Sequence, residues 1–506
     1  MPAVLGDAIA RRRLAALGLV LALLTGCGGS RIDHAAVVAA GNGYEPGAAQ
    51  AETQGAAAAA PSGSPAVVAA PAGAGVAART VAVPGVPTPA ARSGARPGAV
   101  AGTKAVTAGT ASAAQQPAAI AVDASCPQQL APVVLGQTLA SSGLVGAAIG
   151  GLRGGLAVWT KDINARGGLA CHPVRLIQLD DASDPARVSA NWNSIVHDRG
   201  AVAVVGAGAP IAIAALRTAA ERDKVPVVGG DITAEDWVQS PYLFPTGGAP
   251  LTSYDGGVIE ATKQTPGTRK AGLLYCVEAS ICTGLKNNYP KSVERAGAEP
   301  GPIQAVSLIQ SDYTFECQKM KEAGVTTLFL GLDGSASVRA VRSCASLNYF
   351  PAISMGAIGL SAAASVDPGL RRNRTFLGSG LVPYTTTDTA GIQAFHAATA
   401  RYAPSAPEDQ QTLLGWAAGK LLEAAVAKVA AQARAGTITT AMVLDGLWQL
   451  TNEKLQGLSP GATFTKGSPA KAVDCYYGLR LDEKGFAAVD GSRPVCFGPD
   501  RKLAHP

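Results

Sequence analysis

The sequence predicts an α/β protein in which two lobes, each built on a parallel sheet, follow a long tether. Short apolar runs alternate with helical patterns over residues 132–435, and this alternation is typical of parallel sheets. The alternating pattern occurs twice, over 132–228 and again over 270–355. The stretch before residue 126 is rich in Ala, Gly and Pro and has no sustained apolar period.

The first 26 residues are ordered like a bacterial export signal. Arg11, Arg12 and Arg13 precede an apolar run over 14–24, which is too short to span a bilayer because a span needs about 20 apolar residues. The run ends in Leu24-Thr25-Gly26-Cys27, which resembles the lipobox of bacterial lipoproteins. The resemblance implies that Cys27 is lipidated and anchors the protein to the extracytoplasmic face of the cell membrane. A cleaved signal with a chance cysteine is the alternative.

Residues 27–125 predict a disordered tether. Pro61, Pro65 and Pro71 are among the prolines that interrupt any helix the alanines favour. A flexible coil of this length has a root-mean-square span on the order of 50 Å, which would hold the folded part away from the membrane. A proline-rich segment that contacts the cell wall is the alternative.

The first strand–helix–strand unit can be assigned locally. A helix over 147–165 ends at Gly167-Gly168, a pair that helix ends favour. A buried strand follows over 174–179. Asp184 is then the predicted N-cap of a helix over 185–198, whose first residue is proline.

The remaining elements repeat this pattern. Further strands are predicted at 132–139, 202–205, 225–228, 270–276, 303–306, 326–330 and 352–355. One further helix is predicted to follow Pro210 and to end at residue 223. Other helices are predicted over 283–296, 312–323, 335–347, 389–402, 409–435 and 439–450. Short strands are predicted in the tail over 457–486. About 380 residues follow the tether, too many for one ordinary core, which favours two lobes.

Two neighbouring segments carry a family resemblance. Asp162-Ile163-Asn164-Ala165-Arg166-Gly167-Gly168 and Asp180-Asp181-Ala182-Ser183-Asp184-Pro185 together resemble the opening βαβ unit of type I periplasmic binding proteins of the leucine/isoleucine/valine-binding family. The resemblance covers about 132–433. It implies two Rossmann-like lobes joined by a three-segment hinge, with crossings near 247–252, 380–385 and 453–458. Lobe one would hold 126–248 and 383–453, and lobe two 249–382 and 454–500.

The resemblance implies a monomeric receptor that captures a small molecule for the permease subunits of an ABC importer. The ligand would be similar to a branched-chain amino acid, an amide or another small organic solute. A lipoprotein that senses a ligand and signals to a membrane partner is the alternative, and a purely structural envelope protein is a further one.

Other function classes are not expected. The sequence contains no HExxH and no Walker loop, so neither an enzyme nor a cofactor is predicted. No basic run with interleaved aromatic residues occurs, which argues against nucleic acid as a partner.

Eight cysteines remain besides Cys27, and an even number after an export signal suggests disulfides. The predicted element order makes four pairs feasible, although many connectivities stay open: Cys126–Cys171, Cys276–Cys282, Cys317–Cys344 and Cys475–Cys496. A metal site is not expected, because no Cys-x-x-Cys occurs and the histidines are scattered.

Candidate ligand contacts lie in the loops that follow the strands, because open parallel sheets bind ligands outside the carboxyl ends of their strands. The candidates are Ser141, Ser142, Ala207, Gly208, Ala209, Gly230, Asp231 and Thr233 from lobe one, and Glu278, Ser280, Asp333 and Ile358 from lobe two. Unpaired backbone N–H groups at 207–209 would suit an anionic or carbonyl oxygen. Local structural roles are the alternatives, such as Asp333 as an N-cap.

A plain α-amino acid fits these loops poorly. The amino-acid binders of the family hold the ligand carboxylate with a serine-rich loop, whereas 206–209 here contains no hydroxyl. They hold the ammonium with an acid in the loop that here reads 356–359 and contains none. An unpaired buried ammonium costs several kcal/mol. Asp333, Glu278 or Asp231 would have to replace the missing acid.

Overall fold

The computed structural model describes residue 126 and residues 128–267, 269–471, 473–498 and 503–504. The predicted signal, Cys27 and nearly all of the predicted tether lie outside the described residues. No helix within the described ranges is long and apolar enough to cross a membrane.

Lobe one contains a five-stranded parallel sheet. Its strands are β1 (Val133–Leu139), β2 (Val174–Asp180), β3 (Ala203–Ala207), β4 (Val227–Gly230) and β5 (Leu243–Phe244), in the spatial order β2-β1-β3-β4-β5. The connecting helices are α1 (Gly146–Ile149), α2 (Gly151–Ala165), α3 (Pro185–Trp192) and α4 (Ile213–Asp223). The order reverses between β1 and β3, so the sheet has the switch point at which such folds bind ligands.

Lobe two repeats the same winding. Its parallel strands are β6 (Lys270–Tyr275), β7 (Glu299–Ala305), β8 (Thr327–Gly331), β9 (Ala352–Gly356) and β10 (Thr375–Ser379), in the order β7-β6-β8-β9-β10. Its helices are α5 (Pro250–Lys263), α6 (Ser280–Ala296), α7 (Thr314–Glu322), α8 (Gly334–Ser346) and α9 (Pro368–Arg372). Antiparallel strands extend the sheet beyond β10. The predicted two-lobed α/β fold is therefore confirmed.

The last part of the chain contributes helices that pack on lobe one and strands that extend the sheet of lobe two. Helices α10 (Ala390–Tyr402), α11 (Gln410–Lys428), α12 (Ala430–Ala435) and α13 (Thr440–Leu447) follow lobe two in sequence, and α11 packs on β3, β4 and α2 of lobe one. Strands β11 (Cys475–Asp482), β12 (Gly485–Ala488), β13 (Val495–Phe497) and β14 (Leu503–Ala504) complete the lobe-two sheet, where β11 pairs antiparallel with β10.

Helices α2 and α11 approach one another through glycines. A Cβ atom at Gly155 would lie 1.8 Å from the carbonyl oxygen of Thr412, and one at Gly419 would lie 2.1 Å from the ring of Trp159. Trp159 and Trp416 fill the space beside the contact and are almost completely buried. The helix-to-helix distance is therefore set by the absence of side chains at these glycines.

Three predicted helices are interrupted. The helix expected over 147–165 divides at Gly150, and the one expected over 185–198 continues as a π-helix after Trp192. The helix expected over 409–435 breaks at Val429, whose φ of −118° lies outside the helical range. The apolar period does not reveal these breaks, because buried residues continue on both sides of them.

The connections between the lobes pair with one another. The N–H of Gly248 donates to the carbonyl of Gly380 at 3.1 Å, and the N–H of Ala249 donates to that of Val473 at 2.7 Å. Phe464 packs edge-on against Phe244 of lobe one, with ring centroids 5.1 Å apart. These contacts favour a third crossing near Val473, beyond the expected 453–458, while the lobe boundaries stay a prediction.

The eight remaining cysteines form four disulfides. The pairs are Cys126–Cys171, Cys276–Cys282, Cys317–Cys344 and Cys475–Cys496, with Cα–Cα distances of 5.3, 5.0, 5.0 and 4.0 Å. These are the pairs that the element order made feasible. Three of them lie wholly in the part of the chain assigned to lobe two.

Candidate functional site

A cavity lies between the lobes at the carboxyl ends of both parallel sheets. We call it the interlobe cavity, and its volume is about 70 Å³. Lobe one contributes Val145, Ala148, Ile149, Pro210, Ile211 and Thr233. Lobe two contributes Tyr254, Cys276, Ala279, Ile281, Leu285, Leu308, Gly331, Leu332, Asp333, Ile358 and Gly359. The walls are mostly aliphatic, so the space favours an apolar body.

A second, smaller cavity lies beside it at the crossing segments. This hinge cavity has a volume of about 30 Å³ and is lined by Asp231, Ile232, Thr233, Gly247, Gly248, Ser253, Tyr254, Ala357, Ile358, Gly378, Ser379, Gly380, Leu381, Gln410 and Leu414. Thr233, Tyr254 and Ile358 line both cavities. The two spaces are therefore neighbouring parts of one seam, an apolar outer part and a more polar inner part.

The seam is nearly closed. Gln411 of lobe one donates to the carbonyl of Ile358 at 3.0 Å, and Asp409 accepts from the N–H of Ala362 at 3.3 Å. Ligand pockets typically measure about 300–1,000 Å³, far more than either cavity. A solute of ordinary size therefore needs the lobes to separate before it enters.

Asp231 lines the hinge cavity and accepts several hydrogen bonds from its own loop and its neighbours. Its carboxylate accepts from the N–H of Ala209 at 2.8 Å and from the indole N–H of Trp237 at 3.0 Å. Thr233 donates to it through both its backbone N–H and its hydroxyl, at 3.2 Å each. Burial raises the pKa of Asp231 against the effect of these hydrogen bonds. The carboxylate therefore organises the loop after β4.

The two other predicted acids are also engaged locally. Asp333 lines the interlobe cavity but caps α8, where it accepts from the N–H groups of Ser335 and Ala336 at 3.1 Å each. Burial raises its pKa, and these two hydrogen bonds act against that rise. Glu278 accepts from the hydroxyl of Ser307 at 2.6 Å and from the N–H of Leu308 at 2.8 Å. Glu278 therefore braces the loop after β7 and does not line either cavity.

The serine pair after β1 folds onto a neighbouring acid. The N–H of Ser141 and that of Ser142 donate to Asp180 at 2.9 and 3.2 Å, and the Ser142 hydroxyl donates to it at 2.5 Å. Burial acts to raise the pKa of Asp180, but these hydrogen bonds and one from Ala182 outweigh it and hold the pKa below its usual range. Neither serine lines the seam.

The backbone donors expected at 207–209 are already used. The N–H of Gly208 donates to the carbonyl of Thr138 at 3.1 Å, and that of Ala209 donates to Asp231. Ala207 lies inside β3, Gly230 ends β4 under the ring of Trp237, and Ser280 is exposed. Among the twelve predicted contacts, the structure thus brings Asp231, Thr233, Asp333 and Ile358 to the seam. The ligand-contact assignments stay predictions.

Tyr254 is the residue that the sequence analysis missed. It lies in α5, just after the first crossing, and its ring packs on Gly356 and on Phe329 at a centroid distance of 6.2 Å. Burial, followed by the charge of Asp231, raises the pKa of its hydroxyl, which therefore stays protonated. The strand-end rule points only to post-strand loops, and a tyrosine one turn inside a helix gives no sequence signal of facing a cleft.

Three residues of types that bind metals lie together at the edge of the interlobe cavity, but they cannot form a metal site. Cys276, Glu278 and Cys282 lie close together. Both sulfurs are joined in a disulfide, so neither offers a thiolate. This loop is a covalent brace beneath the interlobe cavity.

Comparisons with known proteins agree with this architecture. Residues 132–486 match a family model described as periplasmic binding protein. A search of curated proteins finds no match.

Solved structures share the fold. A substrate-binding periplasmic protein from Ralstonia solanacearum is 17% identical, with 70% of this chain and 99% of that chain covered and a TM-score of 0.61. A fatty acid ABC transporter substrate-binding protein from Thermomonospora curvata is 17% identical over 71% and 91% of the two chains, with a TM-score of 0.60. An ABC transporter solute-binding protein from R. palustris in complex with benzoate is 16% identical over 73% and 99%, with a TM-score of 0.57.

Proposed function

This chain belongs to the periplasmic binding protein family, and from that premise we propose that it captures a small organic solute outside the cytoplasm and delivers it to an ABC importer. The family and the similar structures are binding proteins rather than enzymes. The T. curvata and R. palustris proteins are described as parts of ABC transporters, which supports the importer as the partner.

One observation carries the proposal: the interlobe cavity has walls from the strand ends of both lobes. A ligand that touches both walls binds the closed arrangement better than the open one, because only the closed arrangement supplies both sets of contacts. Ligand binding would then shift the protein towards the closed state, a hinge-type closure that a permease can recognise.

The proposed contacts combine sequence and structure. Thr233 from lobe one and Ile358 from lobe two line both cavities, Asp333 lines the outer one, and Tyr254 joins them at the boundary. In this proposal the other residues predicted from the sequence hold the loops in shape and do not contact the ligand. Asp180 holds the serine pair, and Asp231 holds the loop after β4.

The proposal includes a lipid anchor at Cys27 and a tether up to residue 125. The anchor predicts that the wild-type protein sediments with membranes and that Cys27→Ser releases it to the soluble fraction. Membrane association of the Cys27→Ser protein equal to that of wild type would contradict the anchor without affecting the binding function.

Scattering and thermal stability test the receptor itself. The intact protein would be titrated with leucine, 4-methylpentanoate, 4-methylpentanamide, benzoate and benzamide. A solute that binds should raise the melting temperature and reduce the radius of gyration, and at 100 times its dissociation constant it should add about 2.7 kcal/mol of stability. If none of the five changes either quantity, the receptor proposal is wrong.

A further inference from the structure

The walls of the two cavities carry no cation. No Lys, Arg or His is among the described residues that line either cavity, and the charged side chains there are Asp231 and Asp333. A carboxylate or phosphate bound in the closed seam would lose its water without gaining a counter-charge. Such a transfer costs several kcal/mol, so the walls select against anionic groups.

A ligand ammonium is disfavoured by a different feature. Asp231 already accepts four hydrogen bonds, three on Oδ1 and one on Oδ2. Asp333 is committed to the first turn of α8. An ammonium beside either carboxylate would share oxygens that already bind protein donors, and burial, which raises the pKa of both acids, disfavours the charged form that an ammonium needs.

Among the described residues in these walls, Tyr254 is the polar side chain that makes no hydrogen bond within the protein. Its hydroxyl has no partner among the described residues. The neighbouring polar side chains each make at least one hydrogen bond within the part of the protein that the structure describes: Ser253 donates to Pro250, Ser379 accepts from Leu381 and keeps its own O–H free, and Gln410 bonds the backbone of Val382 and Tyr384. Because its raised pKa keeps it protonated, Tyr254 offers an O–H donor at the boundary of the two cavities.

The helix that starts at the interlobe cavity favours an acceptor as well. Helix α6 begins at Ser280, and its N-cap residue is Ala279, which provides no side-chain acceptor for the first N–H groups. Ala279 and Ile281 both line the cavity. The partial positive charge of a helix N-terminus, about half a unit, suits a carbonyl oxygen but does not replace a full counter-ion.

We propose that the ligand is an uncharged, largely apolar molecule with one carbonyl-type oxygen that accepts a hydrogen bond from Tyr254. Amides, esters and ketones with an aliphatic or aromatic body belong to this class, whereas free α-amino acids and carboxylates do not. This inference rests on the proposed receptor function and specifies the solute for the same seam.

Matched sets of probes test, on the intact protein, whether the seam prefers uncharged ligands to charged ones. Benzamide and benzoate share a ring, and 4-methylpentanamide, 4-methylpentanoate and leucine share a branched chain. Calorimetric titration should give the amide the higher affinity in each set, by at least about tenfold, because one unpaired buried charge costs more than the 1.4 kcal/mol of a tenfold change.

Two tyrosine variants test whether Tyr254 anchors the ligand by donating a hydrogen bond to its carbonyl-type oxygen. Tyr254→Phe keeps the ring on Gly356 and Phe329 and removes only the hydroxyl, so amide affinity should fall about three- to tenfold with an unchanged melting temperature of the free protein. Tyr384→Phe is the matched control, because Tyr384 packs against Phe486 and lines neither cavity. Its amide affinity should equal that of wild type.

The outcomes separate this inference from the function on which it rests. Compaction by a carboxylate or by leucine, with affinity equal to or above that of the matching amide, overturns the uncharged class and leaves the receptor function standing. Equal amide affinity of Tyr254→Phe and wild type overturns Tyr254 as the anchor. No binding by any probe overturns both the class and the receptor.

Discussion

Gln411 in lobe one donates a 3.0 Å hydrogen bond from its side-chain nitrogen to the backbone carbonyl of Ile358 in lobe two. Gln411 is almost completely buried, and Ile358 lines both cavities. Because the bond exists only when the lobes are together, it stabilises the closed state by about 0.5–1.5 kcal/mol. Gln411→Ala is therefore expected to increase the radius of gyration of the ligand-free protein in solution scattering, and to weaken ligand binding.

A second glutamine provides the control for this variant. Gln393 donates to the carbonyl of Thr387 at 2.8 Å, but both residues precede α11 on the same side of the seam. Gln393→Ala should leave the radius of gyration unchanged. A Gln411→Ala protein whose scattering matches that of wild type would show that this bond does not hold the lobes together.

The contact between α2 and α11 predicts that alanine substitutions at two adjacent glycines change the unfolding free energy very differently. In Gly155→Ala the new methyl group would lie 1.8 Å from the carbonyl oxygen of Thr412, so the helices must move apart. Overpacking of this kind typically costs about 1–3 kcal/mol. Chemical denaturation of Gly155→Ala should show a loss of unfolding free energy of at least this size.

Gly154 is the matched position one residue earlier in the same helix. A Cβ atom there would meet nothing within 4 Å. Gly154→Ala should therefore stabilise the protein by about 0.5–1 kcal/mol, the helix-propensity gain of alanine over glycine. Equal effects of the two substitutions would mean that the close approach of the helices is not what requires glycine at 155.

Local chemistry explains which parts of the fold were predictable. Asp184 was expected to cap α3, and its side chain accepts from the N–H groups of Ala186 and Arg187. An N-cap needs only its own next three residues, so the sequence suffices. The break at Val429 depends instead on how α11 meets α13 and the sheet, and no short-range pattern encodes such a contact.

The candidate site was less predictable for the same reason. The strand-end rule pointed to loops of which Asp231, Thr233, Asp333 and Ile358 lie at the seam, and their contact with a ligand stays a prediction. The rule could not predict that Asp180 would accept a hydrogen bond from the hydroxyl of Ser142, because the two loops are brought together only by the pairing of β1 with β2. Tyr254 faces the seam because α5 packs across β9 and β10 of the lobe-two sheet, which is a tertiary property.

Asp181 predicts a pH dependence of stability. It is fully buried, and burial raises its pKa to about 6, against hydrogen bonds from Ser183 and Thr138. The folded state therefore binds a proton more tightly than the unfolded state, whose carboxyl keeps its ordinary pKa near 4. Between pH 4 and pH 6 this group lowers the stability as the pH rises, and above pH 6 the full cost remains.

Asp181→Asn removes that cost and retains an oxygen for the N–H of Ser183. At pH 7 the variant should be more stable than wild type by about 1–3 kcal/mol, and the difference should shrink towards pH 4, as measured by thermal unfolding across the range. Asp184→Asn, an exposed N-cap that asparagine also fills, controls for the loss of one charge. A constant difference between Asp181→Asn and wild type from pH 4 to pH 7 would contradict the burial of an ionised group.

Arg295 predicts a strong destabilisation when it is removed. Its guanidinium is buried and pairs with Asp255 at 2.8 Å and with Asp474 at 2.5 Å, while it lies 3.6 Å from the ring centroid of Phe497. Arg295→Met retains the apolar stem but leaves Asp255, which is fully buried, without its cation. Loss of one partner of a buried ion pair costs about 3–5 kcal/mol, so the unfolding free energy should fall by that amount in denaturant titrations.

Two comparisons attribute the loss to the buried carboxylate rather than to the missing arginine contacts. Arg217→Met breaks a partly exposed pair with Glu221 at 2.9 Å and should cost no more than about 1 kcal/mol. Adding Asp255→Asn to Arg295→Met removes the orphaned charge, so the double variant should recover part of the lost stability. If the double variant is less stable than Arg295→Met alone, the uncompensated charge at Asp255 is not the cause, and the packing of Arg295 on Phe497 must account for the loss.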